Sequence, residues 1–279
     1  MKRKSENGTD GTYETNGTIA HQSHPSHRSH RSHSPFIVEV SMDETLEPQT
    51  PERLFVMLAA IAHEGIPAQT VAPKFTGRFN KGVDYAGDIQ QFAIEFEEDL
   101  LVIDYAIKEF GLPKNLKLSI HSGSDKFSIY PVMGELIKKY DKGIHVKTAG
   151  TTWLEEVIGL AEAGGDGLEV AKKIYAAAYE HREEVIPPYA TVINIDFSKL
   201  PTPEEVNKWG SQKFAESLRH IQTNPNYNPD FRQLIHVAFK MAADMGNVYT
   251  SALEKYADII GKQVTENLWE RHIKLLFDI

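Results

Sequence analysis

Cysteine is absent from the 279 residues, which excludes a disulfide framework and catalysis by a thiolate. No apolar run approaches the roughly 20 residues that a membrane-spanning helix needs. The glycine-rich fingerprint G-x-G-x-x-G after a strand and the phosphate loop G-x-x-x-x-G-K-[ST] are both missing. These absences disfavour a disulfide scaffold, a membrane protein and the common nucleotide-binding enzymes.

Basic residues are outnumbered by acidic ones, 30 to 39, so the formal net charge is −9. A nucleic-acid-binding protein normally presents a basic face, and this balance therefore argues against nucleic acid as a partner. The basic start, MKRKSENGTD, has no apolar core of a signal peptide. Together with the hydrophobic fraction of 41%, these features predict a soluble cytoplasmic protein without a membrane partner.

The first 34 residues differ in composition from the rest of the chain. They consist mainly of Ser, Thr, Asn, Gly and His, with few large apolar side chains. Such a segment cannot bury enough surface to offset its ordering entropy, so residues 1–34 are predicted to be a disordered His/Ser-rich tail. Its histidines recur at every third position and form either a metal-chelating tract or plain low-complexity sequence: His21, His24, His27, His30 and His33.

From residue 35 onward, strand-like and helix-like segments alternate. The predicted strands are short and largely apolar, as buried parallel strands are: 36–40, 69–74, 116–121, 144–148 and 189–195. The predicted helices among them are 50–64, 88–110, 131–140, 152–163 and 168–184. Helical spacing continues over 231–245 and 250–277, where no strand pattern occurs.

This alternation predicts an α/β fold in which parallel strands are joined by helical crossovers. A (β/α) barrel and an open doubly wound sheet both fit the pattern. The missing nucleotide-binding turns favour a TIM-barrel-like fold with a helical carboxyl-terminal end. The five predicted strands fall short of the roughly eight that close such a barrel, so the barrel is expected to be incomplete at its amino-terminal side.

Successive side chains on a strand point to opposite faces, and the apolar ones define the face that packs against helices. The opposite face then carries polar side chains that are aimed at a common interior: Glu39, His121, His145, Lys147 and Asn194. Active sites of barrels lie at the carboxyl ends of the strands. Burying so many ionisable groups is costly unless they pair with one another or bind a metal.

Two imidazoles and one carboxylate are suitable ligands for a divalent ion such as Zn²⁺, Mn²⁺ or Ni²⁺. Purely structural explanations exist for the same residues. A histidine on a strand often serves as a hydrogen-bonded core residue, Glu39 can pair with Lys147, and Asp84 can cap the helix that follows it. His236, on the predicted helix 231–245, is ambiguous between packing and function.

Several unusual strings closely resemble the tagaturonate epimerase family. They are EVSMDETLEPQTPERL (39–54), QTVAPKFTGRFNKGVDYAGD (69–88), SIHSGSDKFSIYP (119–131), HVKTAGTTWLEE (145–156) and TENLWERHIKLLF (265–277). Members interconvert D-tagaturonate and D-fructuronate in hexuronate catabolism, depend on a metal, and are similar to barrel aldolase-related proteins. The resemblance runs from about Phe36 to the carboxyl end.

The resemblance implies roles for individual residues. Glu39 would be the acid/base residue, and Asp84, His121 and His145 would be ligands of a divalent ion. The hexuronate substrate, a keto-sugar acid, would be bound by polar and cationic side chains: Lys74, Arg78, Ser122, Ser124, Lys126 and Lys147. The expected chemistry is retro-aldol cleavage followed by re-addition.

The family members are considerably longer, and their extra length precedes the point where the resemblance begins. Residues 35–279 are therefore expected to be the carboxyl-terminal part of a barrel epimerase domain. Two other functions stay open. The chain would be an inactive fragment or a subunit completed by a second chain that supplies barrel strands, or it would be a metal-dependent aldolase or ketose isomerase.

Overall fold

The computed structural model describes residues 36–279. The predicted tail, residues 1–34, and its histidine repeat lie outside the described residues. Four strands form a parallel sheet in the order β1-β2-β3-β4. Their bounds are β1 Val38–Ser41, β2 Ala68–Ala72, β3 Lys117–Ile120 and β4 Ile144–Val146.

A helix follows each of the first three strands and leads to the next one. These are α1 (Pro51–His63), α2 (Ile89–Phe110) and α3 (Tyr130–Lys139). The Thr50 hydroxyl caps α1. The Asp88 carboxylate caps α2, so Asp84, the cap suggested by the sequence, does not take that role. Gly111 ends α2 in the left-handed conformation that glycine adopts most easily.

The three helices cover one face of the sheet with an aromatic and aliphatic core. Phe92 and Phe96 of α2 and Leu118 of β3 are fully buried in this core. The opposite face carries the polar side chains of alternate strand positions. Glu39 is paired in register with Thr70, and Ser119 is paired with His145. The sheet is therefore apolar on its helix side and polar on the other.

The rest of the chain is helical and has its own apolar core, which includes Trp153, Tyr175 and Phe231. Its longer helices are α4 (Ala149–Ala163), α5 (Gly165–Glu180), α8 (Ser211–Leu218), α9 (Pro229–Val237), α11 (Asn247–Lys255) and α12 (Ala257–Thr265). Its short helices are α6 (Arg182–Val185), α7 (Pro203–Asn207), α10 (Phe239–Asp244) and α13 (Lys274–Phe277). A π-helical segment, Glu266–Ile273, joins α12 to α13.

The prediction of a fifth strand over residues 189–195 is wrong. A short 3₁₀ turn, Pro187–Tyr189, leads into irregular chain. The side-chain amide of Gln233 accepts from Asn194 N–H and donates to Asn194 C=O, each at 2.9 Å. Lys81 N–H donates to Val192 C=O at 2.7 Å. Helix α9 and a loop therefore satisfy the backbone groups that a neighbouring strand would have taken.

The sheet is consequently open, with four strands in the described part of the chain. The α/β class and the parallel strands are confirmed, whereas closure into a TIM barrel is not. The predicted helix 231–245 is divided at Ala238, which lies between α9 and α10. None of the helices in residues 36–279 combines the length and apolar character needed to cross a lipid bilayer.

Candidate active site

Glu39 is the centre of a polar cluster at the carboxyl ends of the strands. Its Oε1 lies 2.8 Å from His121 Nε2 and 2.7 Å from Lys147 Nζ. Its Oε2 lies 3.1 Å from His145 Nδ1. The structure thus brings together four of the five side chains that strand alternation aimed at one interior. The fifth, Asn194, lies on the irregular segment and is exposed.

Two buried hydroxyls from the central strands hold this cluster in place. Thr70 Oγ1 donates to Glu39 Oε2 at 3.0 Å, and Ser119 Oγ lies 3.0 Å from His145 Nδ1. Thr70 and Ser119 are almost completely buried. Side chains that are fixed by such supporting hydrogen bonds keep a defined geometry before any ligand arrives.

The cluster strongly favours the ionised form of Glu39. Burial by itself would raise the pKa of this carboxyl group. Hydrogen bonds from Lys147, Ser119, His121 and Thr70 outweigh burial and hold the pKa of Glu39 well below its usual range. These hydrogen bonds therefore stabilise Glu39 as an anion for as long as its cationic partners stay in contact with it.

Asp43, which the sequence reasoning missed, forms the second carboxylate contact of His121. Its Oδ1 lies 2.9 Å from His121 Nδ1, on the opposite side of the ring from Glu39. Burial would lower the pKa of His121, but the hydrogen bonds to Asp43 and Glu39 raise it overall. The motif SMDET places Asp43 only four residues after Glu39, and that proximity was the available signal.

The loop after β3 is largely buried, so most of its polar side chains contact other parts of the protein and not the Glu39 cluster. Lys126 is fully buried, and its ammonium donates to the backbone carbonyls of Asn80 (2.8 Å), Val83 and Ser124 (3.3 Å). Burial, only partly offset by the Asp125 and Asp84 carboxylates, lowers the pKa of Lys126 to about 7. This geometry points to a structural role, and substrate binding by Lys126 stays a prediction.

Ser124 has a similar structural position. Its hydroxyl contacts Thr151 and lies 2.9 Å from His272 Nε2, and its side chain is buried. Ser122 and Asp125 adopt left-handed backbone conformations, with φ of 50° and 64°. Non-glycine residues rarely adopt this conformation, and they cluster where a fold over-determines a loop. The resemblance assigns substrate binding to three residues of this loop. Ser124 and Lys126 are buried, whereas Ser122, next to His121 in the sequence, is partly exposed.

The predicted site residues of the loop after β2 lie in separate places. Lys74 Nζ donates to the carbonyls of Thr45 and Leu46, so it braces the loop that follows β1. Arg78 is exposed. The Asp84 carboxylate accepts from Ser128 Oγ at 2.9 Å and from Gln222 Nε2 at 3.4 Å. The hydrogen bonds to Asp84 therefore come from Tyr85, Ser128 and Gln222. His121 and His145 both contact Glu39 instead.

Lys81 and His236 are two further cations or bases near the cluster. Lys81 is half-buried, and burial lowers its pKa although Asp43 and Glu44 oppose the change. The His236 ring packs against Gly82 and Gly150, where an added Cβ would lie 3.2 Å and 2.4 Å from ring atoms. Burial, together with the charge of Lys81, lowers the pKa of His236 to about 3. His236 is therefore a neutral imidazole between the loop after β2 and the start of α4.

The chemistry of the donor set fits a divalent ion. Imidazole nitrogens and carboxylate oxygens are the ligands that Zn²⁺, Mn²⁺ and Ni²⁺ take, and Glu39, His121 and His145 offer both kinds within contact distance. Within residues 36–279, no group of three or more acidic or histidine side chains is already arranged around a common point. The donors are instead hydrogen-bonded to one another.

The fold and the site define an α/β protein with an ionised acid–imidazole–lysine cluster at the carboxyl ends of a parallel sheet, where α/β proteins place their ligands. The chain belongs to the tagaturonate epimerase family, whose sequence model matches residues 12–276. That match begins within the segment predicted to be a tail and covers more of the chain than the resemblance seen from Phe36 onward.

Individual relatives agree with this assignment. The tagaturonate/fructuronate epimerase of Thermotoga maritima is 30% identical over 261 residues, which are 92% of this chain and 49% of the relative. The native crystal structure of the fructuronate-tagaturonate epimerase UxaE from Cohnella laeviribosi gives a TM-score of 0.68 at 27% identity. A glycerol-complexed structure of that enzyme gives 0.67 at 28% identity. Each structural match covers 85% of this chain and 45% of the solved one, so the chain spans about half the length of these relatives.

Proposed function

We propose that this chain carries the catalytic cluster of a sugar-acid epimerase and interconverts D-tagaturonate and D-fructuronate with the help of a divalent ion. The observation that carries the proposal is the contact of one ionised carboxylate, Glu39, with His121, His145 and Lys147. Membership of the tagaturonate epimerase family and the names of the relatives support the choice of substrate.

The charge around the cluster suits a substrate that is itself an anion. Lys147 is about half exposed, with 47% of its side chain accessible. Lys81 and the exposed Arg78 lie on the loop after β2. The substrate carboxylate would bind Lys147, because a partly exposed ammonium can turn from Glu39 to a ligand without unfolding its surroundings. The role of Lys74 in substrate binding is less favoured, since its ammonium already braces a loop.

The reaction inverts a hydroxyl-bearing carbon that is β to the ketone, so simple enolisation at the α carbon does not reach it. Retro-aldol cleavage followed by re-addition can invert this carbon. The proton leaves the β-hydroxyl, the Cα–Cβ bond breaks, and its electron pair passes into the ketone to give an enediolate and an aldehyde. Re-addition to the other aldehyde face and return of the proton complete the inversion without any net oxidation or reduction.

The residues of the cluster would divide these tasks. Glu39 would move the hydroxyl proton once Lys147 has turned to the substrate. His121 and His145 would hold the divalent ion, and Asp84 is a further candidate ligand from the family resemblance. Such an ion would act as a Lewis acid toward the ketone oxygen. Thr70 and Ser119 keep the cluster in position through the hydrogen bonds described above.

The test is direct turnover of the purified chain. The chain is stripped of metal, supplied separately with Mn²⁺, Zn²⁺ or Ni²⁺, and given tagaturonate, and the products are identified by NMR. Fructuronate that appears only with metal supports the proposal. A folded, metal-loaded chain that leaves tagaturonate unchanged would show that the chain alone lacks this activity. Release of two shorter fragments would instead identify an aldolase, and a shifted carbonyl would identify a ketose isomerase.

A second candidate is a subunit that becomes active only with a partner chain. The chain spans 45% to 49% of the relatives' lengths, and β1 and β4 are edge strands of the described sheet. Edge strands offer unpaired backbone groups to another chain. This candidate predicts that the isolated chain binds the divalent ion but gains turnover only when a second chain that extends the sheet is added.

A further inference from the structure

The carboxyl-terminal helical run turns one face toward the rest of the protein. Its residues on this face are buried and follow one another at intervals of four, five and four: Gln263, Asn267, His272 and Leu276. A regular α-helix returns to the same face after three or four residues. The interval of five falls within the π-helical segment Glu266–Ile273, because a π-helical turn is wider and holds one more residue. The π-helix therefore brings His272 onto the buried face.

His272 contacts the loop that follows β3. The backbone N–H of Asp125 donates to His272 Nε2 at 3.3 Å, and the Ser124 hydroxyl lies 2.9 Å from the same nitrogen. The other ring nitrogen, Nδ1, lies 2.9 Å from the carbonyl oxygen of Asn267 in the π-helix itself. The imidazole is therefore held at both nitrogens, on one side by its own helix and on the other by the loop.

The neighbouring residue, Arg271, braces the same loop from another side. Its guanidinium lies over the ring of Phe127, 4.5 Å from the ring centroid, and donates to the His220 carbonyl. The rings of Phe127 and His272 meet edge to face, with their centroids 5.4 Å apart. Two consecutive side chains of the π-helix therefore contact this loop.

The loop depends on such support because its backbone is strained. Ser122 and Asp125 have positive φ angles, which residues other than glycine keep only where the surrounding structure holds them. Between them, a Cβ atom on Gly123 would approach the side chain of the last strand residue to 2.6 Å. His121 is the first residue after β3, so the conformation of this loop decides where its imidazole lies.

We propose that His272 is a positioning residue: through Ser124 and Asp125 it holds the loop after β3 in the conformation that places His121 in the candidate active site. The π-helix makes this contact possible by turning the imidazole toward the loop. The consequence for the divalent ion rests on the proposed function, whereas the support of the loop does not. If His272 only filled space in the core, another aromatic ring would replace it without any effect on the loop.

Hydrogen exchange of the metal-free chain tests the support of the loop. Mass spectrometry follows a peptide that covers residues 121–128 and a reference peptide from α2, in wild type, His272→Phe and His272→Gln. His272→Phe should speed exchange in the loop by about tenfold, because it removes the hydrogen bonds to the ring, and should leave α2 unchanged. His272→Gln should stay closer to wild type, since its side-chain amide can still accept from the Asp125 N–H.

A matched control separates this contact from a general loss of packing. Ile260 is buried in the same helical run and packs against Gly159 of α4, away from the loop. Ile260→Ala should therefore leave exchange in the loop unchanged. Unchanged exchange in His272→Phe would overturn the proposal, and so would equal acceleration in Ile260→Ala. Ser124→Ala removes the same contact from the loop side, should also speed exchange there, and decides the question if His272→Phe does not fold.

Metal affinity tests whether the loop positions His121. The metal-free proteins are titrated with MnCl₂ and with ZnCl₂ by calorimetry. His272→Phe should weaken binding by about 10- to 100-fold, whereas Ile260→Ala should stay within about twofold of wild type. Equal affinities for His272→Phe and wild type would refute the positioning of His121. If wild type binds neither ion, the proposed metal site fails, and the exchange experiment alone decides whether His272 supports the loop.

Discussion

Arg232 and Asp125 form an ion pair in which both side chains have no solvent exposure, with Arg232 Nη2 2.6 Å from Asp125 Oδ2. Arg232 also donates to the carbonyls of Gly82 and Leu218, each at 2.6 Å, and Thr151 donates to Asp125 at 2.9 Å. The pair thereby joins helix α9 to the loop after β3, four residues beyond His121. Through Gly82 the same network also includes the loop after β2.

Breaking this pair should destabilise the fold strongly. Arg232→Met leaves the Asp125 carboxylate buried without its cation, which costs about 3–5 kcal/mol. Urea unfolding followed by circular dichroism measures the change. As a control, Lys240→Met removes an exposed pair with Asp244 and should change stability by less than about 0.5 kcal/mol. Adding Asp125→Asn to Arg232→Met should recover part of the loss, and equal losses in the single variants at 232 and 240 would contradict the prediction.

Replacing the central carboxylate should remove activity while the fold persists. Glu39→Gln keeps the size of the side chain but removes the charge that His121, His145 and Lys147 contact, so turnover should fall by about 10²- to 10⁴-fold. Rates with tagaturonate and circular dichroism spectra are measured together. Glu47→Gln should leave the rate unchanged. A Glu39→Gln variant with more than about a tenth of the wild-type rate would remove Glu39 from the mechanism.

Lys147 should act on substrate binding more than on the chemical step. Lys147→Met removes the half-exposed ammonium that the substrate carboxylate is proposed to bind, so KM should rise about 10- to 100-fold while kcat changes less. Lys108→Met, which alters an exposed residue of α2, serves as the control and should leave both constants unchanged. A fall in kcat at constant KM would assign Lys147 to proton movement instead.

Asp99 should make the stability of the protein depend on pH. Burial, reinforced by Glu95 and Glu98, raises the pKa of Asp99 to about 8 in the folded chain, from its ordinary value of 3.8. Between these two values the folded state keeps a proton that the unfolded state has lost, so stability should fall as pH rises. The slope is on the order of 1.4 kcal/mol per pH unit at most.

The variant Asp99→Asn isolates that contribution, because an amide does not titrate. Denaturant unfolding from about pH 4 to 8 should show a shallower decline in the variant, which should be more stable than wild type at the alkaline end. Glu109→Gln, on the exposed side of the same helix, should keep the wild-type slope. Parallel curves for wild type and Asp99→Asn would show that Asp99 ionises normally.

Much of the local structure could be predicted because its causes are local. The predicted helices 50–64 and 88–110 form as α1 and α2, bounded by the capping side chains of Thr50 and Asp88 and by the left-handed Gly111. The alternation of side chains on the strands predicts that Glu39, His121, His145 and Lys147 share one face, and the structure brings them together. The segment 189–195 has an equally good strand pattern, but a pattern does not show whether a neighbouring strand is available to pair with it.

The sequence by itself determined the α/β class, the parallel strands and the face on which Glu39 lies, since hydrophobic periodicity and side-chain alternation act over a few residues. Only the tertiary structure decided that Lys126 and Ser124 are buried, that Gln233 replaces a strand partner for Asn194, and that Asp43 meets His121. Each of these outcomes depends on which distant group satisfies a buried polar atom. That choice is made when the helices and the sheet pack together. Leaving a buried polar group without a hydrogen-bond partner costs more free energy than forming a contact between residues that are far apart in the sequence.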